Sequence, residues 1–397
     1  PVPFPSRAVA GGTRMIMPPV YGHAEVRAKL ARALAAGHLP QSLLFHGPAG
    51  IGKERMGMWL AQHLLCANRR ADGAACGECQ PCRMTERLEH PDVHWFFPLP
   101  RPEASTPEKL RDKLEEARGA ELAARRADPF HVPAYDKAPA YFMGTIQNLQ
   151  RIAGLRPAMG SRKVFVVGDA ELMVPQESSQ EAANAFLKLL EEPPADTTLV
   201  LTSSTPGALL PTIRSRVLPV RMLPLAAEEV ADFLVRRKGM PAAEAEGVAA
   251  LSEGAIGRAL RLLPSGDGPG PLEKQRQAGR ALLLAATADQ PAARLAAALA
   301  EAPTGGRGEF TGTLEAFAVW LRDLMAAAAG AEELVVNGGD VAMLSQVVRR
   351  RDIRPLGVGQ ALDRVQRAAE LASGNVNPQL ILADLLRGVR RDLLGAA

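Results

Sequence analysis

One nine-residue loop constrains the fold of this chain more than any other segment. Residues 46–54 read HGPAGIGKE and follow a short apolar run that predicts a β-strand. Gly47, Gly50 and Gly52 allow successive backbone N–H groups to converge on an anion. Lys53 adds a positive charge, and a helix that begins at this point directs its positive dipole end toward the same anion. The loop therefore predicts an α/β domain that binds phosphate groups.

The residue after the lysine departs from the usual pattern of such loops. Ser or Thr normally occupies this position, because its hydroxyl ligates the magnesium ion that accompanies the nucleotide. Here the residue is Glu54, whose negative charge would lie beside a polyphosphate. We therefore expect a degenerate site, in which ATP or ADP can bind and is hydrolysed poorly.

A second strand is predicted to end in a carboxylate. Residues 163–168 form a run rich in β-branched side chains, and Asp169 follows it. In a phosphate-loop domain such an aspartate holds the water shell of magnesium, so we expect Asp169 in the nucleotide site. Working ATPases of this kind commonly carry Glu at the next position, which here is Ala170. Glu171 comes one residue late, and a slip of one residue turns a side chain toward a different face.

All four cysteines of the chain fall within one short window. They follow the spacing C-x9-C-x2-C-x2-C and are Cys66, Cys76, Cys79 and Cys82. Cysteines three apart in a turn can present two sulfurs to one ion, and tetrahedral zinc takes four thiolates at this kind of spacing. Because four thiolates leave no open coordination position, we expect a structural Zn²⁺. Buried free thiols are the alternative, and disulfides would require an oxidising compartment for which nothing else in the sequence argues.

The bulk composition excludes several classes of protein. With 397 residues and 47% hydrophobic content, the chain can form two or three ordinary cores. No apolar run is long enough to cross a bilayer, and residues 1–17 lack the apolar centre of a secretion signal. We expect a cytoplasmic protein with a disordered tail at 1–17. The net charge of +4 is compatible with nucleic-acid binding, and a solvated mixed surface explains it equally well.

Several segments together resemble one known family. They are the phosphate loop, the four-cysteine insert, His90-Pro91-Asp92, the run from Asn184 to Pro194, and Thr212-Ile-Arg-Ser-Arg216. This set resembles the clamp-loader subunits of the bacterial replicative DNA polymerase, DNA polymerase III, which are AAA+ ATPases. Glu54 and Ala170 make the chain look like the delta-prime type of subunit rather than the gamma or tau motors. The resemblance is dense from about 21 to 220, and it departs at Val217, where the family tends to have Cys.

The resemblance implies an α/β P-loop domain of the AAA+, RecA-like class with a zinc-binding insert, a small helical lid domain and an all-α C-terminal collar domain. The expected boundaries are 18–222 for the nucleotide-binding domain, 66–82 for its zinc module, about 98–139 for an insertion, 223–263 for the lid, 264–271 for a linker and 272–397 for the collar. Inside the insertion one helix is predicted at 107–127, with no chemical function. Further helical patterns lie beyond the linker, at 281–301, 314–329, 341–351, 355–372 and 377–394.

The resemblance also implies roles for two arginines. Arg216 would act in trans, as an arginine finger that stabilises charge on ATP bound to a neighbouring subunit. Pairing with a local carboxylate is the alternative for this residue. Arg258, in Gly-Arg-Ala, resembles the second sensor of AAA+ lids, which reaches back to the nucleotide. A solvent-facing helix arginine is the alternative there.

The partners implied by the resemblance are the gamma/tau and delta clamp-loader subunits, the sliding clamp, and primed DNA held by the assembled ring of a DNA polymerase holoenzyme, with no membrane. DNA contact is expected through basic side chains along phosphates. Candidates are Arg151, Arg156, Arg162 and Lys163, which an ordinary solvated surface would explain as well.

Two other functions stay open at this point. An active gamma/tau-like ATPase motor is the first, because Lys53, Asp169 and Arg258 are all present. The second is a nucleic-acid-binding zinc module at 66–87, which lacks the alternation of aromatic and basic residues typical of such modules.

Overall fold

The computed structural model describes residues 17, 20–133, 135, 137–173, 181–266, 268–302, 307–374 and 376–395. The tail predicted at 1–17 lies outside the described residues, apart from Met17. The chain forms two compact units. The first comprises Pro1–Pro48, Gly52–Pro133 and Ala140–Leu223, and the second comprises Ala49–Ile51, Ala134–Pro139 and Pro224–Ala397.

A parallel five-stranded sheet forms the centre of the first unit. Its strands are β1 (Ser42–His46), β2 (Val93–Phe96), β3 (Lys163–Val167), β4 (Thr197–Ser203) and β5 (Leu218–Arg221). Their order across the sheet is β2-β3-β4-β1-β5, and every neighbouring pair is parallel. The three inner strands are almost completely buried, as expected of a parallel sheet covered by helices on both faces. The predicted α/β class is confirmed.

Helices follow the strands of the first unit. They are α1 (Ala24–Ala35), α2 (Lys53–Leu65), α3 (Gln80–Glu86), α4 (Pro107–Ala127), α5 (Met143–Ala153), α6 (Glu181–Glu191) and α7 (Pro211–Arg214). α4 has the bounds predicted for the helix in the insertion. It begins there because Pro107 lacks only an N–H that a first turn does not use, and the Thr106 hydroxyl accepts from Lys109 N at 3.3 Å. Leu114 and Glu121 of α4 are buried, so one face of the insertion packs on the domain.

The second unit is helical throughout its regular structure in the part of the chain that is described. Its helices are α8 (Ala227–Lys238), α9 (Ala242–Leu251), α10 (Ile256–Leu262), α11 (Pro271–Thr287), α12 (Pro291–Ala300), α13 (Arg307–Ala328), α14 (Val341–Arg351), α15 (Pro355–Ser373) and α16 (Pro378–Leu394). Trp320, Phe317, Leu382 and Leu386 are fully buried in the core of the last six helices. The separation into a lid and a collar stays a prediction.

Two helical patterns of the second unit were predicted with the wrong bounds. The helix expected at 314–329 begins seven residues earlier, as α13 (Arg307–Ala328). The single helix expected at 281–301 is two helices, because α11 ends at Thr287 and Pro291 begins α12. A proline in a helix interior removes a hydrogen bond and clashes with the preceding turn, whereas at a first turn it is favourable. The last helix begins with a side-chain cap, since the Asn377 side chain accepts from Gln379 N at 2.8 Å.

Among the described residues, no helix combines the length and the apolar character that a bilayer-spanning segment needs.

Candidate phosphate and metal sites

The phosphate loop has the backbone conformation that its glycines predict. Gly47, Gly50 and Gly52 all have positive φ angles, of 149°, 81° and 95°. Such angles are readily available only to residues without a Cβ. α2 begins at Lys53, directly after the last of these glycines. The loop therefore places a helix N-terminus at the carboxyl end of β1.

The Lys53 ammonium is bonded to its own loop. The side chain is 5% exposed, and Nζ donates to Gly47 O at 3.0 Å, to Pro48 O at 2.8 Å and to Ser204 Oγ at 2.9 Å. An ammonium group has three N–H donors, so each of them has an acceptor here. Burial lowers the pKa of Lys53, and the negative charges of Asp169, Glu171 and Glu54 oppose that shift. Phosphate could bind this lysine only by replacing one of the three acceptors.

Glu54, at the position of the usual magnesium-binding hydroxyl, is held by the insertion helix and by β2. Its Oε2 accepts from Trp95 Nε1 at 2.7 Å and from Arg125 NH1 at 3.1 Å. Arg125 Nε also donates to Glu121 Oε1 at 2.8 Å. The guanidinium carbon lies 4.4 Å from the ring centroid of Trp95 and 4.1 Å from that of Phe97, in cation–π contact with both. The carboxylate of Glu54 is thus part of an ion pair enclosed by aromatic rings.

Asp169 lies where the sequence places it, directly after β3. It has a positive φ of 43°, and its backbone N–H donates to Thr202 Oγ1 at 3.0 Å. Burial raises the pKa of Asp169 to about 7, and the negative charges of Glu54 and Glu171 add to that shift. Glu171 has a different task, because its Oε1 accepts from Ser204 N at 2.8 Å and fixes the loop after β4.

These residues do not fit a magnesium ion in its usual place. Magnesium needs oxygen ligands in an octahedral shell that keeps several waters. The Glu54 carboxylate already accepts from a cation and an indole N–H, and it also fills the space beside Gly168. A Cβ built on Gly168 would lie 2.8 Å from Glu54 Cδ and 2.8 Å from Oε1. The backbone of the loop has the conformation of a phosphate-binding loop, but the side chains around it bond to one another.

The four cysteines come together as predicted. Their sulfur atoms all lie within 4.8 Å of one another, and the sulfur of Cys66 is 3.6 Å from that of Cys76 and 3.9 Å from that of Cys79. The Cys76 and Cys82 sulfurs are 4.0 Å apart. Zn–S bonds of about 2.3 Å in a tetrahedron put sulfurs about 3.8 Å apart, so the residues fit this ion.

Backbone N–H groups orient these thiolates. Cys76 N donates to the Cys66 sulfur at 3.3 Å, while Cys79 N and Glu78 N donate to the Cys76 sulfur at 3.3 and 3.4 Å. Such bonds stabilise the deprotonated sulfur that a metal requires. The cluster is therefore positioned to bind a metal ion, and its chemistry is that of a closed structural site.

Arg216 pairs with a local carboxylate and remains one-third exposed. Its NH2 lies 2.8 Å from Glu191 Oε1, and NH1 donates to Thr212 O at 2.8 Å and Ser215 Oγ at 3.2 Å. This is the local pairing that the sequence left open, and it also orients the guanidinium at the surface. Arg258 of the second unit likewise pairs within its unit, with Glu253 at 2.6 Å. The predicted roles of both arginines toward nucleotides stay predictions.

The prediction of Lys163 as a candidate for DNA contact was wrong. The side chain is 2% exposed, and Nζ donates to Ala153 O at 2.6 Å and to Leu155 O at the carboxyl end of α5. It therefore neutralises a helix C-terminus inside the domain. Arg151 donates to Asn148 Oδ1 at 2.8 Å, and Arg156 is exposed.

Sequence reasoning missed Arg125, Trp95 and the task of Asp92. A carboxylate at the start of α2 needs a buried cation as partner, and that requirement was the available signal for Arg125. Asp92 accepts from three backbone N–H groups, those of residues 158–160, at 2.5 to 2.8 Å. Although burial pushes the pKa of Asp92 up, these bonds outweigh it and hold the pKa below its ordinary value. Asp92 thus anchors the loop that leads into β3.

Comparison with known proteins gives one family for the first unit. The family model described as DNA polymerase III, delta subunit, matches residues 22–226. The DNA polymerase III subunit delta' of Pseudomonas aeruginosa is 36% identical over 221 residues, which are 55% of this chain and 54% of that protein.

Two further relatives show the range of similarity. The DNA polymerase III subunit delta' of Escherichia coli K12 is 28% identical over 59% of this chain and 58% of its own length. The DNA polymerase III subunit gamma/tau of Mycobacterium tuberculosis H37Rv is 28% identical over 52% of this chain and 28% of its own. The chain spans about half the length of the delta' relatives it matches.

Proposed function

Since the chain belongs to the family of the DNA polymerase III delta subunit, we propose that it is a clamp-loader subunit of the delta-prime type. Its task is to complete the ring with gamma/tau and delta subunits and to help place a sliding clamp on primed DNA. Similarity to delta' subunits over the first unit supports this type. In this proposal the cysteine cluster binds a structural zinc ion and takes no part in catalysis.

The observation that carries the non-hydrolysing role is the ion pair of Glu54. The position that should hold a magnesium-binding hydroxyl carries a carboxylate, and that carboxylate is paired with Arg125 at 3.1 Å. Ala170 also stands where a working ATPase commonly carries the glutamate that polarises water. ATP or ADP bound to the loop of this chain is therefore held without efficient turnover.

Arg216 is the group that acts in trans. A planar, permanently charged guanidinium entering a dry interface stabilises charge on the transferring phosphoryl group of the neighbouring subunit's ATP. Its exposure and its fixed hydrogen bonds to Thr212 O and Ser215 Oγ support this role. Exchange of the Glu191 ion pair for a phosphate contact is the step that assembly would require. Arg258 is the corresponding sensor toward this chain's own nucleotide.

The test is a loader reconstituted with the Arg216→Ala chain. Arginine fingers contribute about 10³-fold or more in rate, so the variant loader should lose hydrolysis at the adjacent site. DNA-stimulated ATP turnover of the whole complex should then fall by the fraction of turnover that this site contributes. Arg214→Ala is the matched control, because Arg214 is an exposed arginine two residues away, at the end of α7. Gel filtration verifies assembly. An unchanged rate in a fully assembled complex would remove the trans-acting role.

An active gamma/tau-like motor is the second candidate. Similarity to the gamma/tau subunit and the presence of Lys53 and Asp169 favour it. Hydrolysis by the isolated chain that disappears in a Lys53→Ala variant would establish this function and overturn the non-hydrolysing one.

A further inference from the structure

The insertion helix α4 delivers one side chain to the phosphate site. The hydroxyl that usually ligates magnesium is absent there, and a permanently charged guanidinium lies against Glu54 instead. We propose that Arg125 takes the electrostatic place of the divalent cation, so that the insertion closes this pocket to magnesium. The proposal concerns this chain's own pocket and does not rest on its role in a ring.

α4 is fixed along the β2 edge of the sheet at several points. Arg118 NH1 donates to Trp95 O at 3.2 Å, and its guanidinium carbon lies 4.8 Å from the Phe96 ring centroid. Arg126 Nε donates to Leu88 O at 3.0 Å. Because contacts on both sides of Arg125 hold the helix, the position of this guanidinium is set by the fold and not by a flexible surface side chain.

The surroundings of Arg125 are those of a permanent partner. The side chain is 13% exposed, and it bonds Glu54 on one side and Glu121 on the other. Rings of Trp95 and Phe97 cover the Arg125 side of the ion pair, while the Glu54 side chain is 25% exposed. Breaking a buried pair leaves an uncompensated charge, so a metal ion that displaced Arg125 from Glu54 would leave the guanidinium among aromatic rings with half its partners.

The balance of charge around the pocket explains why a cation is needed. Glu54, Asp169 and Glu171 act on one another and on Lys53 electrostatically. In a working phosphate-loop site the metal compensates part of such negative charge. Here Lys53 and Arg125 are positive groups that do so, and both are covalently part of the chain.

The space at the metal position is also filled. The Glu54 carboxylate lies against Gly168, where an added Cβ would approach its atoms to 2.8 Å. Its Oε2 already accepts two hydrogen bonds, from Trp95 and Arg125. A hydrated magnesium ion, which gives up its waters reluctantly, therefore has no room beside the Glu54 carboxylate.

Manganese titration of the full-length, zinc-loaded chain tests the proposal, with Mn²⁺ alone as the spectroscopic probe. In the native chain no Mn²⁺ should bind at the phosphate site, so Asp169→Asn should leave the measured Mn²⁺ binding unchanged. Arg125→Met keeps apolar contact with the rings and removes the charge. Its Asp169-dependent Mn²⁺ affinity should exceed the upper limit set by the native chain by roughly 100-fold, because one positive charge beside two carboxylates is gone. Adding Glu54→Gln to that variant should abolish the gain.

Arg111→Met is the matched control, since it removes an exposed arginine from the first turns of α4, where its ion pair is with the exposed Asp112. Its Mn²⁺ affinity should equal that of the native chain. If Arg125→Met does not fold, Arg125→Gln replaces it, because the amide still donates to Glu54. Two results would overturn the proposal: Mn²⁺ binding to the native chain that Asp169→Asn abolishes, or Arg125 variants that fold and gain no Mn²⁺ affinity. The first result needs only the native chain and Asp169→Asn, so it decides even if no Arg125 variant folds.

Discussion

The cysteine cluster and the side chains of Lys53 and Glu54 at the phosphate loop lie in the same unit, and both belong to motifs for binding a charged group. In the cluster, sulfur atoms converge at spacings of 3.6 to 4.0 Å that suit a metal ion. In the phosphate loop, Lys53 bonds the loop's own carbonyl oxygens and Glu54 is paired with Arg125. The first site needs an external cation to balance its charge, whereas the second is balanced by side chains. A preserved motif therefore specifies a backbone path without specifying a ligand.

The two sites also differ in where their partners come from. All ligands of the cluster lie between Cys66 and Cys82, so local turns can build it. The partner of Glu54 lies 71 residues away, in a different helix. Because this partner is distant, a substitution at its position can create or remove the ion pair while the loop motif stays the same. The chemistry of the phosphate loop therefore depends on residues outside its motif.

The largest expected effect comes from removing a cluster ligand. Cys66→Ser should abolish binding of one zinc ion per chain and unfold the module locally, because structural zinc contributes on the order of 10 kcal/mol to the folding of small sites. Metal analysis and hydrogen exchange over 66–86 measure this. His63→Gln is the control, since His63 is a buried neighbour that bonds Trp59 O. Full zinc retention by Cys66→Ser would show that the four sulfurs do not form one site.

Asp169→Asn probes the charge balance at the phosphate loop. The pKa of Asp169 is about 7 in the fold against 3.8 ordinarily, so the carboxyl group's favourable contribution is present below about pH 4 and is lost as pH rises through 7. Relative to the native chain, the variant should gain more stability at pH 8 than at pH 5. At about 1.4 kcal/mol per pKa unit, the roughly two units between pH 5 and the folded-state pKa make this difference about 3 kcal/mol.

Urea denaturation of both chains at the two pH values measures this difference, and effects of pH on other groups cancel in the comparison. Asp112→Asn, at an exposed position of α4, serves as control and should change stability by less than about 0.5 kcal/mol at either pH. Equal changes at pH 5 and pH 8 for Asp169→Asn would contradict the raised pKa.

Gly168→Ala should have the smallest effect and tests how closely Glu54 fills the metal position. The new methyl group would meet Glu54 at 2.8 Å, and overpacking of this kind costs about 1–3 kcal/mol. Thermal and urea denaturation measure the loss. Gly207→Ala is the control, because no atom lies within 4 Å of a Cβ built there. Adding Glu54→Ala should relieve most of the loss, and strictly additive effects would argue against the contact.

Local sequence patterns predicted the elements that carry both sites. The strand before Asp169 and the helix at 107–127 form as expected, because each depends on side-chain periodicity and end signals within its own segment. The cysteine ligands were predictable for the same reason. The prediction of a single helix at 281–301 was wrong because a proline interrupts the apolar pattern. The prediction of Lys163 as a DNA contact was wrong because nothing near this residue in the sequence shows that it is buried.

The sequence by itself determined the phosphate loop, the strands before Gly47 and before Asp169, and the four-cysteine set, since these depend on residues close together in the chain. Only the tertiary structure decided that Arg125 from the insertion pairs with Glu54, that Asp92 anchors residues 158–160 and that Lys163 caps α5. The physical reason is that desolvation and ion pairing depend on distances in space. Those distances exist only after segments far apart in the chain have packed together.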